Sequence, residues 1–239
     1  MDSSFLGPMY KHIFFDLDHT LWDFESNSKE ALFEIFIELQ LNNILGCAFE
    51  DFLKTYHRIN QQYWDEYKMG KVSRETLRNA RFADTLSTFN PDSATLSLQI
   101  SEAYIARSPY KKQLFDGAVR VLDYLTHKGY ELHIITNGFN EVQFIKLTES
   151  KLLPYFKTIT TSENAGHNKP DTKIFMHALN AAGASTNESI MIGDNMEADI
   201  VGALNAGLPA IWFNPEKTMV EHDSRYKTIY HLLELEEIF

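Results

Sequence analysis

The stretch Ile13-Phe14-Phe15-Asp16-Leu17-Asp18-His19-Thr20-Leu21 runs from an apolar segment into two acids spaced one residue apart. β-Branched and aromatic side chains pack well on a pleated surface, so Ile13, Phe14 and Phe15 read as a strand. A strand that is apolar at every position is buried on both faces, the condition of a parallel sheet. Asp16 then stands at the carboxyl end of that strand, where open α/β sheets bind their ligands. Two carboxylates this close repel each other, and a cation or a shared proton is what would make the arrangement tolerable.

Working outward, the chain has two grammars. After the turn-like exit Trp22-Asp23-Phe24-Glu25, only helices are expected up to about residue 107. Ser26, Asn27 and Ser28 are good N-cap residues, and Glu30 is placed as in a capping box after Asn27. Leu32, Ile35, Phe36 and Leu39 then recur at helical spacing to about Gln40. Further helices are expected over 50–68, 73–88 and 91–107, the first carrying the stripe Phe52, Tyr56, Ile59, Tyr63 and Tyr67 and ending at Gly70. From Tyr110 the pattern alternates. Helices are expected over 116–128, 140–150, 171–182 and 196–205, with strands over 132–136, 158–161, 189–192 and 209–213. Such alternation implies a parallel sheet with right-handed crossovers. The expectation is an α/β fold: a Rossmann-like parallel-sheet core, residues 1–22 and 108–239, with an inserted all-helical cap, residues 23–107. Met1 to Met9 reads as a loose lead-in.

Composition narrows the function classes. The 239 residues carry a net charge of -11 and no long basic run, which argues against nucleic-acid binding through phosphate contacts. No apolar run is long enough to span a bilayer. The first ten residues lack the basic-then-apolar order of a signal peptide. Cys47 is the one cysteine, so no internal disulfide forms and a reducing compartment, the cytoplasm, is expected.

Four polar constellations follow strands. They are Asp16-Leu17-Asp18-His19-Thr20, Thr136-Asn137-Gly138, Lys169-Pro170-Asp171, and Gly193-Asp194 with Asp199 downstream. A parallel sheet brings all four to one edge. Oxygen ligands of this kind suit a hard cation such as Mg²⁺. A hydroxyl, a lysine and strand-end N–H groups suit a phosphate. An acid beside both can act as a nucleophile, as in aspartyl-phosphate enzymes.

In these four motifs, taken in order, the chain resembles the haloacid dehalogenase superfamily of phosphatases, and the helical insert looks like that superfamily's helical type of cap. Ile13 to Glu25, Ile135-Thr136-Asn137-Gly138-Phe139 and Gly193-Asp194 with Asp199-Ile200 look most like its pyrimidine 5′-nucleotidase subgroup. The resemblance implies a Mg²⁺-dependent phosphomonoester hydrolase acting on a small phosphorylated metabolite, a nucleoside 5′-monophosphate first. It implies Asp16 as the nucleophile that becomes a phosphoaspartate. Asp18 would be the acid for the leaving alkoxide and then the base for water. Thr136, with the N–H groups of Asn137 and Gly138, would hold the phosphoryl oxygens. Lys169 would neutralise the transferring group; Asp16, Asp194 and the Asp18 carbonyl would hold the metal, and Asp199 would orient Lys169 or a metal-bound water. His19 reads as structural. Lys71 and Arg74, in the turn after Gly70, are either solvated or turned to the substrate. A cation there would favour phosphoglycolate or a sugar phosphate, which is the alternative substrate class. A mutase fits less well, since His19 stands where mutases usually carry glycine. A dehalogenase fits less well too, since it has no use for the acid Asp18.

Overall fold

The computed structural model describes residues 10–219 and 223–239. The lead-in expected over Met1 to Met9 lies outside them. The described chain divides into two compact units, one from the described residues of Met1–Phe24 and Lys112–Phe239, the other Glu25–Lys111.

The first unit is a six-stranded sheet with every neighbouring pair parallel. Its strands are β1 (His12–Phe15), β2 (Glu131–Thr136), β3 (Phe156–Thr161), β4 (Ser189–Gly193), β5 (Ala210–Phe213) and β6 (Tyr226–Ile229), in the order β3-β2-β1-β4-β5-β6. β1 lies between β2 and β4, so its carboxyl end faces the point where the strand order reverses. Its three apolar residues divide between the two faces. Ile13 and Phe15 pack with Val121, Leu122 and Leu125 of a helix on one side. Phe14 packs with Ile174, Phe175 and Ala178 on the other. That two-sided burial is why the sequence shows a continuous apolar run rather than an alternating one.

Ten α-helices are named in chain order. In the helical unit are α1 (Phe24–Glu38), α2 (Leu41–Leu45), α3 (Phe49–Lys68), α4 (Arg74–Phe89) and α5 (Ser97–Arg107). Around the sheet are α6 (Ala118–His127), α7 (Asn140–Glu149), α8 (Ser162–Ala165), α9 (Thr172–Ala182) and α10 (Gly202–Asn205). The helical unit has its own core, in which Leu32, Ile35, Phe36, Phe52, Tyr56, Phe82, Leu86 and Ile100 meet. Phe52, Tyr56 and Ile59 of the expected stripe are buried, whereas Tyr63 and Tyr67 are only partly so. Arg81 is buried in this unit. It donates to Asn60 at 2.6 Å and lies within 5.8 Å of the rings of Tyr56, Phe82 and Tyr104.

Several boundaries differ from the expectation, for local reasons. α1 starts at Phe24, so Ser26, Asn27 and Ser28 lie inside the helix and not at its cap. Asn27 and Ser28 are buried, and Ser28 accepts a bond from the Tyr104 hydroxyl at 2.9 Å. Tertiary packing has thus claimed residues whose propensity is for a cap. The expected 91–107 helix opens as a 3-10 segment, Pro91–Leu96, capped by Asn90, before α5. The expected 196–205 helix begins as a π-turn, Met196–Val201, and only then continues as α10. β6 and the closing 3-10 turn Leu232–Glu237 were not anticipated.

His133 on β2 yields the first expected result. Its Nδ1 lies 2.9 Å from the Thr158 hydroxyl and its Nε2 lies 3.1 Å from His12 Nδ1. Burial, with His12 and Lys157 nearby, pushes its pKa down to about 4. The folded imidazole therefore stays neutral where the unfolded one takes up a proton. The stability this represents is complete above the unfolded pKa and is lost as pH falls from about 6.5 towards 4. Between neutral pH and about pH 5 the loss is about 2 kcal/mol. Urea unfolding at the two pH values should show that extra loss in the wild type and not in His133→Gln.

Candidate active site

The four constellations do meet at the carboxyl edge of the sheet. The Asp16 N–H donates to the Ile192 carbonyl at 2.9 Å, so the β1–β4 ladder runs on into the site and fixes the first acid. Lys169 is buried and spends all three ammonium protons there. It donates to Asp16 Oδ1 at 2.5 Å, to Asp199 Oδ1 at 2.6 Å and to the Ile135 carbonyl at 2.8 Å. Asn137 holds the Lys169 backbone from both sides. Its Nδ2 donates to the Lys169 carbonyl at 3.0 Å, and its Oδ1 accepts the Lys169 N–H at 2.7 Å. The end of β2 is thereby tied to the segment before α9, which Asp171 caps by accepting the Lys173 N–H. Thr136 is buried, and its hydroxyl oxygen accepts the Gly138 N–H at 3.1 Å.

Past β4, Asp194 accepts the Thr20 hydroxyl at 3.2 Å through Oδ1, and its carbonyl accepts the Trp212 indole N–H at 2.7 Å. Asp199 sits in the π-turn and reaches back, its Oδ2 accepting the Asn195 N–H at 2.9 Å. A Cβ at position 193 would lie 2.3 Å from that Oδ2, so Gly193 is what lets Asp199 lie against the strand end. π-Turns are common where a helix must offer a side chain to a site.

The electrostatics are those of a site short of positive charge. Asp16, Asp194 and Asp199 offer oxygens that all lie within 4.8 Å of one another, with Lys169 as the cation bonded to two of them. Burial pushes the Asp16 carboxyl well above the usual range, Lys169 pulls it back, and Asp199 and Asp194 push it up again. Burial, then Asp199, pushes Asp194 up to about 7. Burial opposes the charge of Lys169, yet Asp16 and Asp199 hold its pKa above the ordinary lysine value. Asp16 and Asp194, two carboxyls with raised pKa beside a third acid, would be stabilised by a hard cation, and an all-oxygen donor set is one that Mg²⁺ accepts. The residues present fit that ion.

Asp18 is placed differently. Its Oδ1 accepts Lys146 Nζ at 2.5 Å and its Oδ2 accepts Gln143 Nε2 at 2.8 Å. Burial alone would raise its pKa, but the charge of Lys146 and the bonds from Lys146 and Gln143 bring it below the usual carboxylate value. Gln143 and Lys146, both on α7, were not singled out from the sequence. The signal was their three-residue spacing on a helix that starts just after Thr136-Asn137-Gly138. His19 adopts a left-handed backbone (φ 64°) and its ring tilts against Phe24, 4.8 Å between centroids. Lys71 and Arg74 lie in the helical unit, Lys71 exposed in the turn before α4 and Arg74, partly buried, as the first residue of α4. Ser73 caps that helix by accepting the Thr76 N–H at 3.1 Å.

With this edge assembled, the chain belongs to the haloacid dehalogenase-like hydrolases, whose family model matches residues 13–213. Among its relatives is the pyrimidine 5′-nucleotidase PynA of Streptococcus pneumoniae, 32% identical over 96% of this chain and 93% of PynA. The pyrimidine 5′-nucleotidase YjjG of Escherichia coli is likewise 32% identical, over 95% of this chain and 96% of YjjG. Among solved structures, magnesium-bound YfnB of Bacillus subtilis superposes with a TM-score of 0.85 at 29% identity, covering 97% of this chain and 99% of YfnB. Among the described residues, no helix is long and apolar enough to cross a membrane.

Asp194 gives a second expected result. Asp194→Ala should raise the Mg²⁺ concentration for half-maximal thermal stabilisation by about tenfold or more, the scale of losing one metal-orienting group. Since a ligand carboxyl must be ionised, wild-type Mg²⁺ affinity should weaken as pH falls below about 7. Thermal-shift titrations at several pH values read both effects, and an unchanged Mg²⁺ midpoint in the variant would remove Asp194 from the ligand set.

Proposed function

We propose that the protein is a Mg²⁺-dependent phosphomonoester hydrolase that passes through a phosphoaspartate on Asp16, with nucleoside 5′-monophosphates, pyrimidines first, as substrates. The observation that carries this reading is the buried Asp16–Lys169–Asp199 chain beside Asp194 at the strand-order reversal. Phosphoryl transfer leaves little covalent work to a protein beyond positioning and charge stabilisation, and this edge is built for both. The Asp16 carboxylate attacks phosphorus. Lys169 balances charge on the nucleophile and on the transferring oxygens, and Asp199 holds Lys169 in place. Thr136, with the N–H groups of Asn137 and Gly138, receives the phosphoryl oxygens. Asp16, Asp194 and the Asp18 carbonyl would hold Mg²⁺, which supplies charge stabilisation on the phosphoryl group. Asp18 gives a proton to the leaving oxygen and takes one from water. The helical unit serves as a cap in this reading, and the turn carrying Lys71 and Arg74 takes part in substrate choice.

The nucleotide preference is supported by the full-length similarity to two pyrimidine 5′-nucleotidases. The alternative, phosphoglycolate or a sugar phosphate, is favoured by the cations Lys71 and Arg74. A phosphate-release screen with Mg²⁺ over nucleotides, sugar phosphates and phosphoglycolate decides. Pyrimidine nucleoside 5′-monophosphates should lead in kcat/KM. Arg74→Ala should then raise KM by about threefold to tenfold, the loss of roughly one hydrogen bond. If phosphoglycolate leads and Arg74→Ala abolishes that lead, the distal-anion reading replaces the nucleotide one.

A further inference from the structure

Asp18 is gripped by two side chains that the mechanism above does not use. Lys146 and Gln143 stand one helical turn apart on α7, and each takes one oxygen of the carboxylate. A carboxylate held by one donor can still swivel; held through both oxygens by donors on one helix, its plane and direction are set. Each donor is itself fixed. Lys146 is buried, and its ammonium lies 4.1 Å from the centroid of the buried Trp22 ring and 5.6 Å from that of Phe24. Such rings favour a cation over their faces. Gln143 lies against Gly138, where a Cβ would come within 1.6 Å of Gln143 Nε2. Gly138 therefore makes room for Gln143, a demand separate from any contact its N–H makes. The remaining Gln143 oxygen is buried without a hydrogen-bond partner among the described residues. Burying an amide half-satisfied is unfavourable, so its place is not explained by stability.

We infer that Lys146 and Gln143 are positioning residues for Asp18, holding its carboxyl group in place for both of its proton transfers, so that in the first half of the reaction they matter for leaving groups that need a proton and little for those that do not. The inference rests on the phosphatase reading. In the first half of the reaction the protonated form of Asp18, the minor one under this grip, gives its proton to the ester oxygen as the bond from phosphorus to that oxygen breaks. Asp16 takes the phosphoryl group, and the alcohol leaves. In the second half the Asp18 carboxylate takes a proton from the water whose oxygen attacks phosphorus. The bond between Asp16 and phosphorus breaks, inorganic phosphate leaves, and Asp18 has its proton again. An alkoxide is too basic to leave unprotonated. A p-nitrophenolate leaves well without help, so its ester bypasses the first proton transfer.

The test compares wild type, Lys146→Met and Gln143→Leu on two esters: p-nitrophenyl phosphate and the alkyl phosphate that the wild type turns over fastest. Thermal unfolding is measured alongside. For Lys146→Met, kcat on the alkyl ester should fall by about 10²-fold, the scale of a misplaced general acid. On p-nitrophenyl phosphate the first-turnover burst of p-nitrophenolate, which reports the first half alone, should slow by less than about threefold, while the steady state that follows falls as it does on the alkyl ester because the attacking water still needs Asp18. Gln143→Leu should show the same split at about tenfold. This variant removes no charge, so it decides the matter by the same split if Lys146→Met does not fold. A p-nitrophenolate burst slowed as much as alkyl-ester turnover, a change in KM alone, or no change would overturn the positioning role. A wild type that releases phosphate from no ester would overturn the phosphatase reading and this inference with it, and that signature appears before any variant is made.

Discussion

Asp16→Asn should fold as the wild type does and lose essentially all turnover, by about 10⁴-fold or more, with KM little changed. The amide keeps the shape and can still accept the Lys169 bond through its oxygen, but it cannot attack phosphorus. The stability half of this expectation follows from the electrostatics. The Asp16 carboxyl is pushed well above its ordinary range by burial and by Asp199 and Asp194, in spite of Lys169. Its charge at neutral pH therefore weakens the fold. Replacing it with a neutral isostere should leave the thermal midpoint unchanged or higher, the usual trade between stability and a charged site. Phosphate release and thermal unfolding on the same preparation check both halves. Substantial residual turnover in Asp16→Asn would sink the covalent mechanism.

Lys169→Met should be the change at this edge that damages stability most. It leaves Asp16 and Asp199 in a buried place without the cation that bonds both at 2.5 and 2.6 Å. Removing one partner from such a buried pairing costs about 3–5 kcal/mol. Turnover should fall by about 10³-fold, because the charge on the transferring group loses its fixed counterpart. The sign of the pH effect identifies the cause. Without Lys169 the Asp16 carboxyl, already pushed up by burial, Asp199 and Asp194, loses the charge that pulls it back, so the folded state binds more protons than the unfolded state and stability falls as pH rises. Denaturant unfolding should therefore find Lys169→Met closest to wild type at low pH and furthest from it at high pH. A pH-independent loss would point to lost packing instead of uncompensated carboxylates.

How much of this was legible depended on whether a residue's neighbours were local. β1 was legible because Ile13, Phe14 and Phe15 are buried on both faces of the sheet, which forces a continuous apolar run. The strand-end motifs were legible because polar residues directly after a buried strand have few other reasons to be there. β6 was not: of Tyr226, Lys227, Thr228 and Ile229 only Ile229 is buried, so an edge strand gave almost no pattern. The start of α1 was misjudged because Ser28 is held by Tyr104, far away in the chain, and not by a cap. The π-turn at Met196–Val201 depends on Asp199 reaching the Asn195 N–H beside Gly193, a matter of close approach that spacing does not show. Gln143 and Lys146 were missed for the same kind of reason. Polar residues on a helix read as a solvated face, and these two are buried only because Asp18 stands opposite them.

The most direct measurement is to catch the covalent enzyme. Wild-type protein is mixed with Mg²⁺ and its best phosphate ester, quenched in acid within the first turnover, digested and read by peptide mass spectrometry. A phosphoryl group on the peptide containing Asp16, on Asp16 itself and absent from Asp16→Asn, is the predicted result. An enzyme that turns the ester over with no phosphoryl group on Asp16 at any quench time, or with one on another residue, would contradict it.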